Sequence, residues 1–453
     1  MSDVLAHRLA AWSNALCWND LPHRQQELAL LRLMDSVGLI LGGSSSEAVA
    51  IVQDIARTQG ARGSSTVVGL AEPCAAGWAA LVHGVAAHCF DFDDTFPDSV
   101  VHPGSAVVPT ALAVAEETGA SATEILTAIA GGYELAARLA GVAARRFHER
   151  GFHASGIFAP LCAAFTASRL YGLSAAQTAE AVGLAASMAG GLLAFLADGS
   201  WSKWLHLGWG NLGGVTAAQL ARRGFRGPRG ALDVRHNLYE AFVGATPEDI
   251  RGVDELLGSV WRNESSRFKI YPCAHVIQPY IDLALELRGN FGEPAQIERV
   301  TCIVAPWAVP IVCEPAAEKI RPKTMLQAIA SLPFHVASAL TDGRVGLSTL
   351  SDAQRARDDI AALSERVVYS VDDELAGFSA KLTITTADGR RFAGSGDAKT
   401  PDADRLASKF IELASMVISP VAARDAVETV ARFAVAPDAA GITSLFRQVT
   451  LVT

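Results

Sequence analysis

Apolar positions recur with a helical period from near the N-terminus to about residue 265 and predict helix after helix. Leu21-Pro22 opens one such run, which stops at Gly42-Gly43. Ser121-Ala-Thr-Glu124 and Ser174-Ala-Ala-Gln177 each place a hydroxyl three residues before a side chain that reaches back to it, the pattern of a reciprocal helix cap. The first precedes an Ala- and Leu-rich run expected to end near Arg146, and residues 217–223 continue the helical theme until Gly224. Small residues dominate these stretches, so the helices can approach one another closely. The greasiest run, residues 181–197, is short for a bilayer span and contains Gly190 and Gly191, which predicts a buried helix or helix pair.

The pattern changes after about Lys269. Residues 300–304, 308–312 and 367–371 have strand character, while 275–288 and 325–340 read as helices. Residues 381–386 and 391–393 flank Ala387-Asp-Gly389 and predict a hairpin. From about Asp402 the chain returns to helix. The expected fold is therefore mainly α. A large all-helical domain is built from both chain ends, residues 1–268 and 402–453, and a smaller α+β domain, 269–401, is inserted between them.

Half of the 453 residues are hydrophobic and 19% are charged, a globular composition with ample material for a core. The net charge of −9 argues against a nucleic-acid partner but leaves room for a local basic pocket. Seven scattered cysteines, with no Cys-x-x-Cys, read as reduced thiols. The opening Met1-Ser-Asp-Val-Leu-Ala-His-Arg8 has neither a long apolar core nor a signal-peptide layout, so a cytoplasmic protein without a membrane partner is expected.

Chemistry concentrates in four places. Asp91-Phe-Asp-Asp-Thr95 and His102 put three carboxylates, a hydroxyl and an imidazole into a Gly- and Ala-rich neighbourhood. Ionised groups are costly to bury without a partner or a task. Read singly, each aspartate is a turn or helix cap. Read together, Asp91 and His102 face a pocket, with Asp93 and Asp94 as scaffold. His153 sits in a Gly-flanked loop before an apolar helix, where an anion would be favoured. Lys203 and His206 share one helical face among Trp201, Trp204 and Trp209, and a desolvated lysine can give or take a proton. Arg267-Phe-Lys269-Ile-Tyr271-Pro-Cys273-Ala-His275 lies where the two textures meet, and inter-domain clefts are common ligand sites. Cys273 has no activating base nearby in sequence and reads as an inert thiol. Gly208-Trp-Gly210-Asn-Leu-Gly213 matches the dinucleotide-binding spacing by letter but follows no strand.

Together these segments resemble the MmgE/PrpD family, which includes 2-methylcitrate dehydratase, cis-aconitate decarboxylase and iminodisuccinate epimerase. The resemblance is strongest over residues 83–116, 151–227 and 269–287, and weaker over 328–343. It implies a homodimeric two-domain enzyme with no metal or organic cofactor and its site between the domains. By motif, the family's pocket residues fall on Asp91, Thr95, His102, His153, Lys203 and Lys269. Phe334 stands where decarboxylase-like members carry a tyrosine.

The family chemistries share one difficulty, the build-up of negative charge beside a carboxylate. Lys203 and Lys269 suit its stabilisation, and His102 and His153 suit proton transfer. We therefore expect catalysis by His102, His153, Lys203 and Lys269, with Asp91, Thr95, His206 and Tyr271 binding a small di- or tricarboxylate. The expected reaction is a dehydration or decarboxylation, with epimerisation of an iminodisuccinate-like acid second. Two readings of other classes are a magnesium-dependent isoprenoid synthase using Asp93, Asp94 and Asp98, and a silent carboxylate-binding family member, which Phe334 would favour.

Overall fold

The computed structural model describes residues 4–60, 62–375 and 377–449. Residues 1–3, part of the N-terminal octet, lie outside the described residues. Among the described residues the fold is mainly α with one four-stranded sheet. Both predicted caps form. Ser121 and Ser174 accept the backbone N–H of Glu124 and Gln177, whose side chains return to the cap N–H, and open Ala122–Gly141 and Ala175–Ser187. The first helix ends at Gly141 rather than near Arg146, and a turn separates it from the short helix Arg146–Glu149.

Buried apolar side chains form two cores. The first runs from Leu5 to Phe268 and resumes from Leu406 to Phe446, so helices from both chain ends pack together. Ser202–Arg222 crosses Ala154–Leu170 and Ala76–His88 at close range. A β-carbon added at Gly210 would stand 2.6 Å from that of Ala159, so glycine is required there for contact between helices. The apparent dinucleotide pattern thus lies inside a helix and serves packing. The second core runs from Tyr271 to Ile384. Its strands lie in the order Val367–Val371, Ile297–Val304, Ser379–Thr386, Arg391–Asp397, the first pair parallel and the others antiparallel. The helices Gln278–Leu287 and Leu332–Asp342 pack against it.

Three expectations are corrected. Residues 308–312 are not a strand but lie mostly in a π-helical turn, Val309–Cys313, because Pro306 and Pro310 remove N–H groups that a ladder needs. The single helix expected over 325–340 is two, Met325–Ile329 and Leu332–Asp342. Ser331 caps the second by accepting the N–H of Phe334, and Pro333 fits only its first turn. Residues 181–197 are not buried throughout. After Ser187 the chain leaves the helix, and Met188, Leu192 and Leu196 are exposed. Among the described residues no single helix is long and apolar enough to cross a membrane.

Candidate active site

Ala76–His88 delivers His88 at its last turn, and Gly104–Thr118 begins just after His102-Pro103. The intervening loop is held from within. Asp93 accepts from His88 Nδ1 at 2.8 Å and from the Ser105 hydroxyl at 2.5 Å, while His102 Nδ1 lies 3.1 Å from its other oxygen. Asp94 accepts the Gly104 N–H at 3.1 Å. Both are therefore scaffold. Asp91 and Val100 hold positive φ values of 48° and 56°, a conformation disfavoured for such residues that persists where surrounding structure enforces it.

The backbones of Thr95 and Arg267 pair in both directions, which brings the segment after Arg267 against this loop. Lys269 Nζ then donates to the carbonyl and carboxylate of Asp91 at 2.6 and 2.8 Å. Lys203, in the first turn of Ser202–Arg222, stands 2.8 Å from the same Asp91 Oδ1, and His102 Nε2 is 3.6 Å from it. The Thr95 hydroxyl lies 3.4 Å from His102 Nδ1. Lys409 secures the arrangement from the helix Ala403–Ala414 near the end of the chain, donating to Asp35 and to the carbonyls of Phe92 and Lys269.

Burial opposes ionisation of Asp91, but Lys203 and Lys269, with His102 and His88, outweigh it and hold its carboxyl below the usual range. For Lys203 burial wins over Asp91 and lowers the ammonium pKa, and among the described residues its Nζ makes no well-aligned hydrogen bond. His153, at the N-cap of Ala154–Leu170, meets His206 with their Nδ1 atoms 3.0 Å apart. Burial, reinforced by His88 and Lys203, holds His153 well below its ordinary value. Burial thus favours its neutral form.

These groups open onto a cavity of about 440 Å³. Asp91, Thr95, His102, His153, Lys203 and Lys269 all line it. Two expected binding residues do not. His206 stands behind His153, and the Tyr271 hydroxyl donates to Asp282 at 2.7 Å beside a second cavity. Phe334 is buried in the second core, not at the cavity surface, and so leaves no gap there. Cys273 is buried against Gln278, and burial raises its thiol pKa, as expected of an inert thiol.

Four lining or supporting residues were missed: His88, Arg145, His148 and His275. His148 and His275 lie close in sequence to His153 and Lys269, but no spacing rule carries a side chain across a turn of unknown shape. His88 is revealed by its contacts with Asp93, His102 and His153. His88, Asp91, Asp93 and His102 also bring ligand atoms within 4.8 Å of one another, the spread of a metal site. Asp91 already faces two ammonium groups and Asp93 two imidazoles, so a cation there would meet repulsion as well as ligands.

The family model for the MmgE/PrpD N-terminal domain matches residues 7–250, and that for the C-terminal domain matches residues 271–434. A cis-aconitate decarboxylase of Mus musculus is 27% identical over 88% of this chain and 83% of its own length. That of Homo sapiens is 27% identical over 85% and 83%. A cis-aconitate decarboxylase-like protein of Aspergillus oryzae is 24% identical over 90% of both. With both family models matched in order along nearly the whole length, the chain belongs to the MmgE/PrpD family.

Proposed function

We propose that this protein is a cofactor-independent lyase that breaks a carbon–carbon or carbon–oxygen bond beside a carboxylate of a small di- or tricarboxylate. Decarboxylation of a cis-aconitate-like acid is the first reaction to test, in keeping with the names of the relatives. The observation that carries the reading is the convergence of Lys203, Lys269 and His102 on Asp91 beside the neutral His153.

In this mechanism the substrate carboxylate lies at Lys203 and Lys269, whose charge stabilises the electron pair left when the bond breaks. His153 accepts a proton where one must leave carbon. In a decarboxylation, carbon dioxide departs and Lys203 or His102 protonates the carbon it leaves. In a dehydration, the same acid protonates the departing hydroxyl. Asp91 stays ionised and fixes both ammonium groups, while Thr95 and His206 orient His102 and His153. An epimerase uses the same groups to remove and return one proton and is the second reading. The magnesium-dependent synthase is disfavoured because Asp93 and Asp94 are engaged in the loop scaffold and Asp98 is exposed. The silent binder loses its main support with Phe334 buried in the core.

We also read the two cores as two domains, and the protein as a cytoplasmic homodimer. Leu192, Leu205 and Trp209 are exposed apolar side chains of the kind a subunit contact covers. Light scattering should give twice the chain mass for the wild type and the chain mass for Trp209→Glu. A monomeric wild type would remove the dimer from this reading.

Proton NMR in deuterated water with 2-methylcitrate, citrate, cis-aconitate and iminodisuccinate tests the chemistry. Product peaks name the subtype, and deuterium entering beside a carboxylate without net product indicates reversible proton abstraction, as an epimerase or a poor substrate would show. No change with any of the four would withdraw the catalytic assignment.

A further inference from the structure

Lys203 and Lys269 both stand 2.8 Å from one oxygen of Asp91, so that carboxylate partly neutralises their joint charge. His148, His153 and His275 line the same cavity, and burial holds each below its ordinary pKa. His102 faces Asp91 and Asp93. A substrate carboxylate at the two lysines thus leaves any second one without a cation on this floor. It cannot rest against Leu193, Phe195, Ile311 or Phe378, because an unpaired carboxylate in apolar surroundings is strongly disfavoured.

Among the described residues, Arg145 is the remaining lysine or arginine that lines the cavity. Its guanidinium carbon lies 3.9 Å from the centre of the Trp307 ring, and one Nη donates to the carbonyl of Pro97 at 3.2 Å. Nε is buried and makes no hydrogen bond among the described residues. Asp98 and Glu149 act on its charge, but among the described residues neither stands within 4.0 Å as an ion pair. The stacking fixes a planar donor whose fork matches a carboxylate. His148 lies within electrostatic reach of Lys203 and Arg145 alike, so the two cationic regions adjoin one cavity wall.

We propose that Arg145 is a specificity-determining residue that receives the substrate's distal carboxylate, the one not held by Lys203 and Lys269. The inference rests on the carboxylate reading above. It makes the enzyme selective for acids with at least two separated carboxylates, the first at the reacting end and the second at Arg145. Trp307 is then a positioning residue that holds the guanidinium in place.

Calorimetric titration with tricarballylate, a saturated tricarboxylate, tests this in the wild type and in Arg145→Gln, Arg145→Lys and Lys203→Met. Arg145→Gln should weaken binding about tenfold or more, the usual scale for losing a charge-assisted pair. Arg145→Lys should recover part of it, since it restores charge without the fork. The unfolding temperature of each ligand-free Arg145 variant should match that of the wild type, which a merely structural role would not allow. Unchanged affinity in Arg145→Gln, with binding lost in Lys203→Met, would overturn the proposal and leave the carboxylate site intact. A lowered unfolding temperature together with no rescue by lysine would overturn it in favour of a structural role. Failure of the wild type to bind tricarballylate would sink the proposal and the carboxylate reading together.

Discussion

Asp91, His102, His148, His153 and Lys203 reach the cavity from the helical side of the chain, whereas Trp307, Pro310, Ile311, Leu326 and Phe378 reach it from the side that carries the sheet. The first set is made of groups that hold or move charge. The second is mostly apolar, with His275 as its exception and Lys269 at the junction. The difference assigns chemistry to one wall and shape to the other. Substitutions among the charged groups of the helical side, apart from Arg145, should act on turnover, and those on the sheet side on substrate choice.

The largest expected effect is that of Asp91→Asn. It leaves two buried ammonium groups facing each other, which should cost about 3–5 kcal/mol of stability, the usual scale for breaking a buried pair. Turnover should fall with it, and a variant that melts and reacts like the wild type would break the comparison at its centre. Next come Lys203→Ala and Lys269→Ala, each expected to lower kcat by about 10²–10³ through lost stabilisation of developing charge. Circular dichroism should show an unchanged helical fold, and near-normal kcat in either variant would remove that lysine from the chemistry. Ile311→Ala, on the opposite wall, should raise KM by about tenfold with kcat altered less than about twofold, as expected for lost apolar contact. A collapse of kcat instead would mean that the sheet side takes part in the reaction.

The smallest effect concerns the scaffold. Burial, with Asp35 adding to it, raises the Asp94 carboxyl to about 7. The folded state therefore binds that proton more tightly than the unfolded chain. Its contribution is fully present below the ordinary value near 4 and is lost as pH rises through about 7. Asp94→Asn should flatten the fall in unfolding temperature between pH 4 and 8, since the amide oxygen can still accept the Gly104 N–H. An identical pH profile in the variant would assign the titration to another group.

The fold was largely legible because helix periodicity and caps are local signals, as Ser121 and Ser174 illustrate. Misreadings came where a proline overruled an apolar run, at Pro310 and Pro333. At the site, the residues recognised by motif, Asp91, His102, His153, Lys203 and Lys269, line one cavity. Tyr271 was misplaced because its direction depends on Asp282, eleven positions away, which no local pattern links to it. Arg145 was invisible for a similar reason, since Trp307, which orients it, comes from the other wall.

Lys409 gives the architecture a consequence in time. It donates to the carbonyl of Lys269 from 140 positions later in the chain, and also to Phe92 and Asp35. Synthesis runs from the N-terminus, so a nascent polypeptide that has already exposed every residue of the cavity still lacks the clamp that seats Lys269. The seating of Lys269 is thereby completed only when the Ala403–Ala414 helix has left the ribosome and docked. A chain broken off before that helix would carry every side chain that lines the cavity and lack the three contacts made by Lys409.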